Sequence, residues 1–561
     1  MCMLAQKGMS WADALAGPDR EHVVKALDKE MTSLLSTILT ELSPGDADYA
    51  EAVDTATPGR LLLDYKRSQE YKARGVKQGF KENKLITDGP DFNYYSHVAK
   101  LVTVRALVLR PDRGNRRLAS IDIRTAFLQS HPYPDGKYKL IKFRDPLTHK
   151  WRYFKQSGPI YGESAAPISW EDTLVPFLTG ELHFTRGDNE LCAFYHPERD
   201  LTVITFVDDC LADGYTDDVN WFLDLIAERF DCKDATWLGP DQPIDFIGMD
   251  IIMTSDRIMI SMERYILNML DKLGMTKIRS SSVPINKPID IDSEPLKPND
   301  RRYFMTAVGM FGWLSNTARP DITYAHSRIS QHMASPTESA MDAVKTCCGY
   351  LKANPNFVLS TLLHPPDIDF SNALNARSEL DLNADPDAGI WKCFSDSDHA
   401  GNAEVQNKRR SQNGCIAVCN GAAIMWVSKV SSVAFAVPEI NGAHADVSSA
   451  AAGIYAAANA ANEFLHLSYV IEELGMNFPK PFKLRIDNTA AITFVKGTCF
   501  KTNLKHIDCR QEWVRCLRDK NIMQPIYVKT TENYADLFTK ILGPQTFDYL
   551  RGLVMYRYKH D

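Results

Sequence analysis

No run of about 18 uninterrupted apolar residues occurs in the chain, so a membrane-spanning helix is not expected. The opening residues, MCMLAQKGMSW, have neither the basic start nor the apolar core of a secretory signal, which points to an intracellular protein. Low-complexity tracts and internal repeats are also missing, so most of the chain should fold as ordinary globular domains. The twelve cysteines follow no repeating spacing and include the adjacent Cys347 and Cys348. That excludes a disulfide framework and fits a reducing compartment. Cys393, Cys415 and Cys419 are not accompanied by a Cys-x-x-Cys pair or paired histidines, so they read as buried small hydrophobes and not as zinc ligands. Net positive charge is lacking too: the chain carries −7. Nucleic-acid binding would therefore depend on local basic tracks.

What is present is a 561-residue chain, 44% hydrophobic and 24% charged, long enough for two to four domains. Basic residues cluster at Lys72, Arg74, Lys77, Lys81 and Lys84, at Arg113, Arg116 and Arg117, and at Lys408, Arg409 and Arg410. Each cluster alone reads as a solvated face. Val24, Leu27, Met31, Leu34 and Leu35 fall at helical spacing and predict an amphipathic helix over 19–39. Strand-like runs alternate with helices from about 61 to 275. The stretch 276–300 is rich in Ser, Pro and Asp and reads as a linker. A helical segment over about 301–355 presents Phe304, Val308, Phe311 and Leu314 on one face, and a polar stretch at 364–388 marks a second boundary. Beyond it, Asn420-Gly421 between two apolar runs signals a hairpin. An Ala-rich helix at 448–473 follows, then strand 482–487, helices 488–496 and 507–519, strand 522–529 and a last helix from about 533.

Three aspartates carry the sharpest chemistry. In RLASIDIRTAFLQ, Leu118, Ser120 and Asp122 alternate with Ala119, Ile121 and Ile123, so Asp122 leaves a half-buried strand on its polar face. In LTVITFVDDCLADG, an apolar strand runs into Asp208 and Asp209 and emerges apolar, as in a hairpin with acids at its turn. Like charges flanked by apolar strands repel and are costly to desolvate unless a cation neutralises them. Carboxylates bridging divalent ions serve phosphoryl transfer, and magnesium suits such an all-oxygen site.

These phrases have company in a fixed order: YKARGVKQGF, IDIRTAFLQ, PIYGESAAPISWED, TFVDDCLADG, DFIGMDI and GMFGWLSNTARPDITYA. The series resembles the reverse transcriptase of copia-type LTR retrotransposons over most of residues 10–355. The resemblance implies that Asp122, Asp208 and Asp209 are the metal-binding and catalytic triad. It makes Lys72 and Arg74 the contacts to an incoming triphosphate. It makes Phe127 an aromatic gate against a 2′-hydroxyl, and Gly162 a close backbone approach to template or nucleotide. Ala165, Ile168 and Phe206 depart from the residues usual there without touching a metal ligand.

Farther on, CFSDSDHAG, KRRSQNGCIAV, IMWVSK, LRIDNTAAI, LKHIDCRQEWV and ENYADLFTKIL resemble the RNase H domain that ends copia-type Pol, over roughly 391–545. The resemblance implies catalytic, metal-binding acids at Asp396, Asp487 and Asp536. The fourth acid of such a site falls on Gly453 in SSAAAGIYA, which weakens the nuclease reading while leaving the fold reading intact.

The expected fold is therefore α/β (α+β): a right-hand palm, fingers and thumb followed by an RNase H-like domain. The expected divisions are a helical lead-in at 1–60, fingers and palm at 61–275, thumb and connection at 276–388, an RNase H-like domain at 389–545 and a tail at 546–561. The implied activity is RNA-directed DNA polymerisation with Mg2+, two ions in the polymerase site, and an impaired RNase H domain. Implied partners are an RNA template, a DNA or tRNA primer, an RNA–DNA hybrid and dNTPs. A second copy or other retrotransposon proteins are further partners, in a cytoplasmic particle or the nucleus. The alternative is a folded transposon relic that binds nucleic acid without turnover. An RNA-directed RNA polymerase is disfavoured by Phe127 and the appended domain. Protease, zinc-knuckle and integrase zinc signatures are missing, and the start at a point resembling the interior of Pol implies a fragment or truncated frame.

Overall fold

The computed structural model describes residues 9–559 except 66–69, 83–92, 135, 364–389, 403–409, 435–448 and 498–507. The boundary expected at 364–388, together with Lys84, Lys408 and Arg409, lies outside the described residues. In the N-terminal part the helix Arg20–Thr37 buries Val23, Leu27, Met31 and Leu34. Leu35 is 39% exposed and Val24 is half-buried, contrary to the expected stripe. The buried four keep spacings of four, four and three residues and so share one face; Val24 and Leu35 lie one residue, about 100°, off it.

That helix packs on a five-stranded sheet ordered Leu39–Leu42, Trp151–Gln156, Lys139–Arg144, Thr57–Tyr65 and Tyr71–Lys77. The residues expected as a purely helical lead-in thus add an edge strand to the fingers. A second sheet, of six strands, forms the palm, in the order Thr236–Trp237, Arg117–Asp122, Asp209–Gly214, Leu201–Phe206, Ala193–His196 and Thr185–Arg186. Its central strands are apolar on both faces because the helices Ala166–Pro176 and Thr216–Arg229 pack on one side and the helix Leu101–Val108 on the other.

The thumb and connection are built differently. Phe304, Val308, Phe311 and Leu314 of the helix Pro298–Thr317 are fully buried, as their spacing predicts. Each such side chain contributes roughly 1.5–3 kcal/mol by leaving water. The stretch expected as a linker at 276–300 is instead fastened to this unit: Val283, Ile285 and Ile289 are buried in its core. An apolar residue at intervals of two to four was enough to anchor a Pro-rich extended segment. The segment expected as a tail is likewise packed. Tyr556–Arg557 extends a sheet through Phe357–Leu362, and the buried Arg551 donates to the Tyr350 hydroxyl at 2.8 Å and to Asn354 at 3.2 Å.

The C-terminal module is a five-stranded sheet ordered Ala422–Ala434, Arg410–Cys419, Trp391–Asn402, Phe482–Ile486 and Met523–Tyr527. The first three pair antiparallel and the last two join in parallel. Asn420 (φ +47°) and Gly421 (φ +82°) form the expected tight hairpin turn. The helix Ser449–Glu473 lies across the sheet, buried on nearly all sides from Ala452 to Ile471. The expected last helix is a short 3-10 turn, Tyr534–Phe538, followed by the helix Pro544–Gly552. Gly543-Pro544 restarts the chain between them. Arg105 joins the modules: its buried guanidinium donates to the carbonyls of Ile424, Asn316 and Thr317 and lies 4.1 Å from the Trp426 ring. Among the described residues no helix is long and apolar enough to cross a membrane.

Candidate functional site

Asp122 ends its palm strand and Asp209 begins the neighbouring one, and the two are register partners. Phe206 pairs with Asp209, so Val207 and Asp208 make the two-residue turn between strands. Val207 adopts φ +58°, a left-handed conformation that a β-branched residue enters at a cost of about 1–3 kcal/mol. The surroundings hold it there. Trp170 Nε1 donates to the Val207 carbonyl at 2.6 Å, and the Ile123 amide donates to the Asp208 carbonyl at 2.8 Å. The strained turn fixes where both acids emerge.

Burial raises the Asp208 carboxyl above its ordinary range, with Asp122 adding to the rise. Asp209 is pushed up to about 7, by burial first and then by Asp208 and Asp122. Asp122 is ion-paired to Lys233, whose ammonium is 2.5 Å from Asp122 Oδ2 and whose amide donates to the Asp122 carbonyl. The Lys233 side chain is 53% exposed, so it is a weak counter-charge for the buried pair. The three carboxylates feel one another's charge, but among the described residues only the C-terminal group brings three ligand oxygens within 4.8 Å of one another. An all-carboxylate set is of the type that suits a hard divalent cation.

Of the expected nucleotide contacts, the structure brings two to this cleft. Arg74 is close enough to offset part of the rise that burial imposes on the Asp208 carboxyl. Phe127 sits half-buried on a 3-10 turn, its ring 5.3 Å from that of Tyr161. Tyr161 feels both Asp208 and Arg74, so the aromatic pair borders the acids. Lys72 is near Glu30 of the N-terminal helix, as is Arg74, whose guanidinium also lies 4.0 Å from Asp64. Gly162 (φ +79°) makes its close approach to the fingers: a Cβ there would meet the Lys77 carbonyl at 2.3 Å. The Gly79 amide donates to the Gly162 carbonyl at 3.1 Å, tying the two loops together. Glu163, beside it, is buried and ion-paired to Lys139 at 2.7 Å, while Lys77 pairs with Glu82 at 2.7 Å.

In the C-terminal module, Asp396, Asp487 and Asp536 come together, with ligand oxygens all within 4.8 Å of one another. Asp396 lies within the first strand, and Asp487 directly follows the strand Phe482–Ile486. Asp536 lies in the 3-10 turn, which Asn533 anchors by donating to the Ser395 carbonyl at 3.2 Å. Gly414 permits this contact, because a Cβ there would come within 2.8 Å of Thr539 and Phe538. Burial and Asp396 raise Asp487 and push Asp536 up to about 7. The centre opens into a cavity of ≈ 220 Å³ whose wall includes Gly453, Asn488 and Lys540. Gly453 therefore faces the acids, and among the described lining residues no further carboxylate takes up the missing position.

Several groups escaped the sequence reading. Lys233 and Lys540 reach the two centres, and only Lys540 had a local signal, four residues after Asp536. Arg113 and Arg116 form no solvated face. Both are buried with Arg110 around Asp213, at 2.5–2.8 Å, and hold its carboxyl down at about 2 against full burial. Cys393, Cys415 and Cys419 are buried and free, as expected.

Residues 61–287 match the family of reverse transcriptases (RNA-dependent DNA polymerases). The whole chain is similar to the retrovirus-related Pol polyprotein from transposon TNT 1-94 of Nicotiana tabacum, 25% identical over 97% of this chain and 38% of that protein. It is 26% identical to the Pol polyprotein from transposon RE1 of Arabidopsis thaliana over 85% of this chain and 30% of that one. The Gag-Pol polyprotein of transposon Ty1-LR2 of Saccharomyces cerevisiae is 23% identical over 95% of this chain and 29% of its own length. The chain thus spans about a third of the polyproteins it matches. A solved foamy viral protease–reverse transcriptase in complex with double-stranded DNA aligns with 91% of this chain and 70% of its own, at 12% identity and a TM-score of 0.48.

Proposed function

We propose that this chain, which belongs to the copia-type retrotransposon Pol family, is an RNA-directed DNA polymerase whose palm centre is Asp122, Asp208 and Asp209. The observation that carries the reading is the paired register of Asp122 and Asp209, with Asp208 in the strained turn between strands. These acids emerge on one edge of a rigid sheet, at a cleft bordered by Arg74, Phe127 and Tyr161. Two Mg2+ ions, when bound, would supply activation of a primer 3′-hydroxyl and neutralisation of the departing pyrophosphate. The protein's own groups do the rest. Burial makes the ionised forms of Asp208 and Asp209 costly, so a bound cation is what would keep both carboxylates charged. Arg74 is placed to pair with phosphate oxygens of a dNTP. In this reading Phe127, whose ring packs 5.3 Å from that of Tyr161, serves as the aromatic gate against a 2′-hydroxyl.

The partners in this reading are an RNA template, a DNA or tRNA primer, dNTPs and, as copying proceeds, an RNA–DNA hybrid. Further association with a second copy or other retrotransposon proteins, in a cytoplasmic particle or the nucleus, belongs to the same reading. Extension of a DNA primer on an RNA template with Mg2+ tests it. If the purified chain extends no primer at any Mg2+ or Mn2+ concentration, the polymerase reading fails. A second reading, a catalytically silent module, is favoured for the C-terminal half alone, by the glycine at 453 facing three carboxylates.

A further inference from the structure

We propose that Lys540 is a built-in cation of the C-terminal carboxylate centre, so that the centre takes one divalent ion, weakly, in competition with the lysine. The proposal rests on reading this module as RNase H-like. Lys540 Nζ lies 2.8 Å from Asp536 Oδ1 and 3.3 Å from Asp396 Oδ2. The Thr539 hydroxyl donates to that same Asp396 oxygen. The backbone keeps the lysine in place, because the amides of both Thr539 and Lys540 point to the Asp536 carbonyl at 3.3 Å.

Charge arithmetic then decides the stoichiometry. Asp396, Asp487 and Asp536 bring three negative charges when ionised, and Lys540 returns one positive. The remaining charge of −2 matches one divalent ion and not two. A fourth carboxylate would change this sum, but Gly453 supplies none and its space is constrained. A Cβ at 453 would lie 3.1 Å from both Asn488 Nδ2 and Ala491 Cβ. The cavity has room for an ion and its waters beside the lysine, since a water occupies about 30 Å³ of liquid volume.

Manganese binding by the full chain, followed by electron paramagnetic resonance, tests the proposal in a background of Asp208→Asn and Asp209→Asn. The ions held by the C-terminal centre are those lost on further substitution of Asp487→Asn. One ion is expected with Lys540 present, bound at least tenfold more tightly after Lys540→Met and with unchanged affinity after Lys540→Arg. Two ions with Lys540 intact, or no gain on Lys540→Met, would overturn the proposal. If Asp487→Asn removes no manganese from any variant, the RNase H-like reading falls and the proposal with it. Because Lys540→Met removes an ion pair, Mn2+-dependent thermal protection gives a second readout, expected to be larger in Lys540→Met than in the parent.

Discussion

The palm and the C-terminal module each gather three aspartates at the edge of a sheet, yet they balance the charge differently. In the palm the cation paired to an acid, Lys233, comes from a loop, is half in solvent and is ion-paired to Asp122. In the C-terminal centre Lys540 bridges Asp396 and Asp536 from a turn pinned to the sheet, and these acids raise its affinity for its proton against the opposing effect of burial. Asp209 and Asp536 are both pushed up to about 7, so burial strains the two centres alike. What separates them is how the protein's own cation is held: half in solvent and on one acid in the palm, fixed between two buried acids in the C-terminal centre. A centre left short of positive charge is open to metal; one that carries a fixed ammonium is partly closed to it.

The comparison is tested most severely by Asp208→Asn. Losing a carboxylate from a two-ion site should lower primer extension by on the order of 10³-fold or more, with primer–template binding nearly unchanged. Equal losses in binding and extension would mean that Asp208 supports the fold and not the chemistry.

Asp213→Asn, on the strand that follows the Asp208 turn, contrasts with it, because Asp213 is already neutralised by Arg110, Arg113 and Arg116. Removing its charge strands buried guanidinium groups and should cost about 3–5 kcal/mol. The pH dependence has a definite sign. Asp213 is held down at about 2 when folded, against about 3.9 unfolded. Its stabilisation is therefore complete above about pH 4 and is lost as pH falls through 2. Thermal unfolding of the wild type and Asp213→Asn should converge over that window. A penalty that stays constant from pH 5 to pH 2 would reject the charge network as its source.

A smaller effect is expected at Phe127. Phe127→Ala should admit ribonucleotides, lowering the dNTP-to-rNTP preference by about tenfold or more while dNTP use changes less; a contact of this kind is worth 1–3 kcal/mol. An unchanged ratio would return Phe127 to a packing role beside Tyr161.

Gly453→Glu should have the smallest effect. The sequence alone suggests that restoring the acid restores hybrid cleavage. The structure lowers that expectation, since the new Cβ must displace Asn488 and Ala491 by a few tenths of an ångström and Lys540 remains in place. Cleavage of an RNA–DNA hybrid should rise only several-fold over the parent. Strong cleavage by the parent chain that disappears on Asp487→Asn would contradict the idea of an impaired centre.

Legibility followed locality. The end of a strand at Asp122 could be read from alternation, and the turn at Asp208 and Asp209 from the apolar strands around it; their reading as one set came from the resemblance. The Asn420-Gly421 hairpin could be read because its left-handed turn selects those residues. The Arg113 and Arg116 cluster misled because a basic run looks solvated until Asp213, about 100 residues away, is folded into its middle. The linker and tail misled for the same reason: Val283, Ile285, Ile289 and Arg551 find their partners only across the fold.

By itself the sequence determined several of the local elements, such as the strand ending at Asp122, the turn at Asp208 and the Asn420-Gly421 hairpin, because hydrophobic period and turn chemistry act over a few residues. Only the tertiary structure decided the counter-charges: Lys233 at one centre, Lys540 at the other and three arginines around Asp213. Coulomb interactions depend on distances between side chains in space and on the water excluded between them, and neither quantity is written in the spacing of residues along the chain.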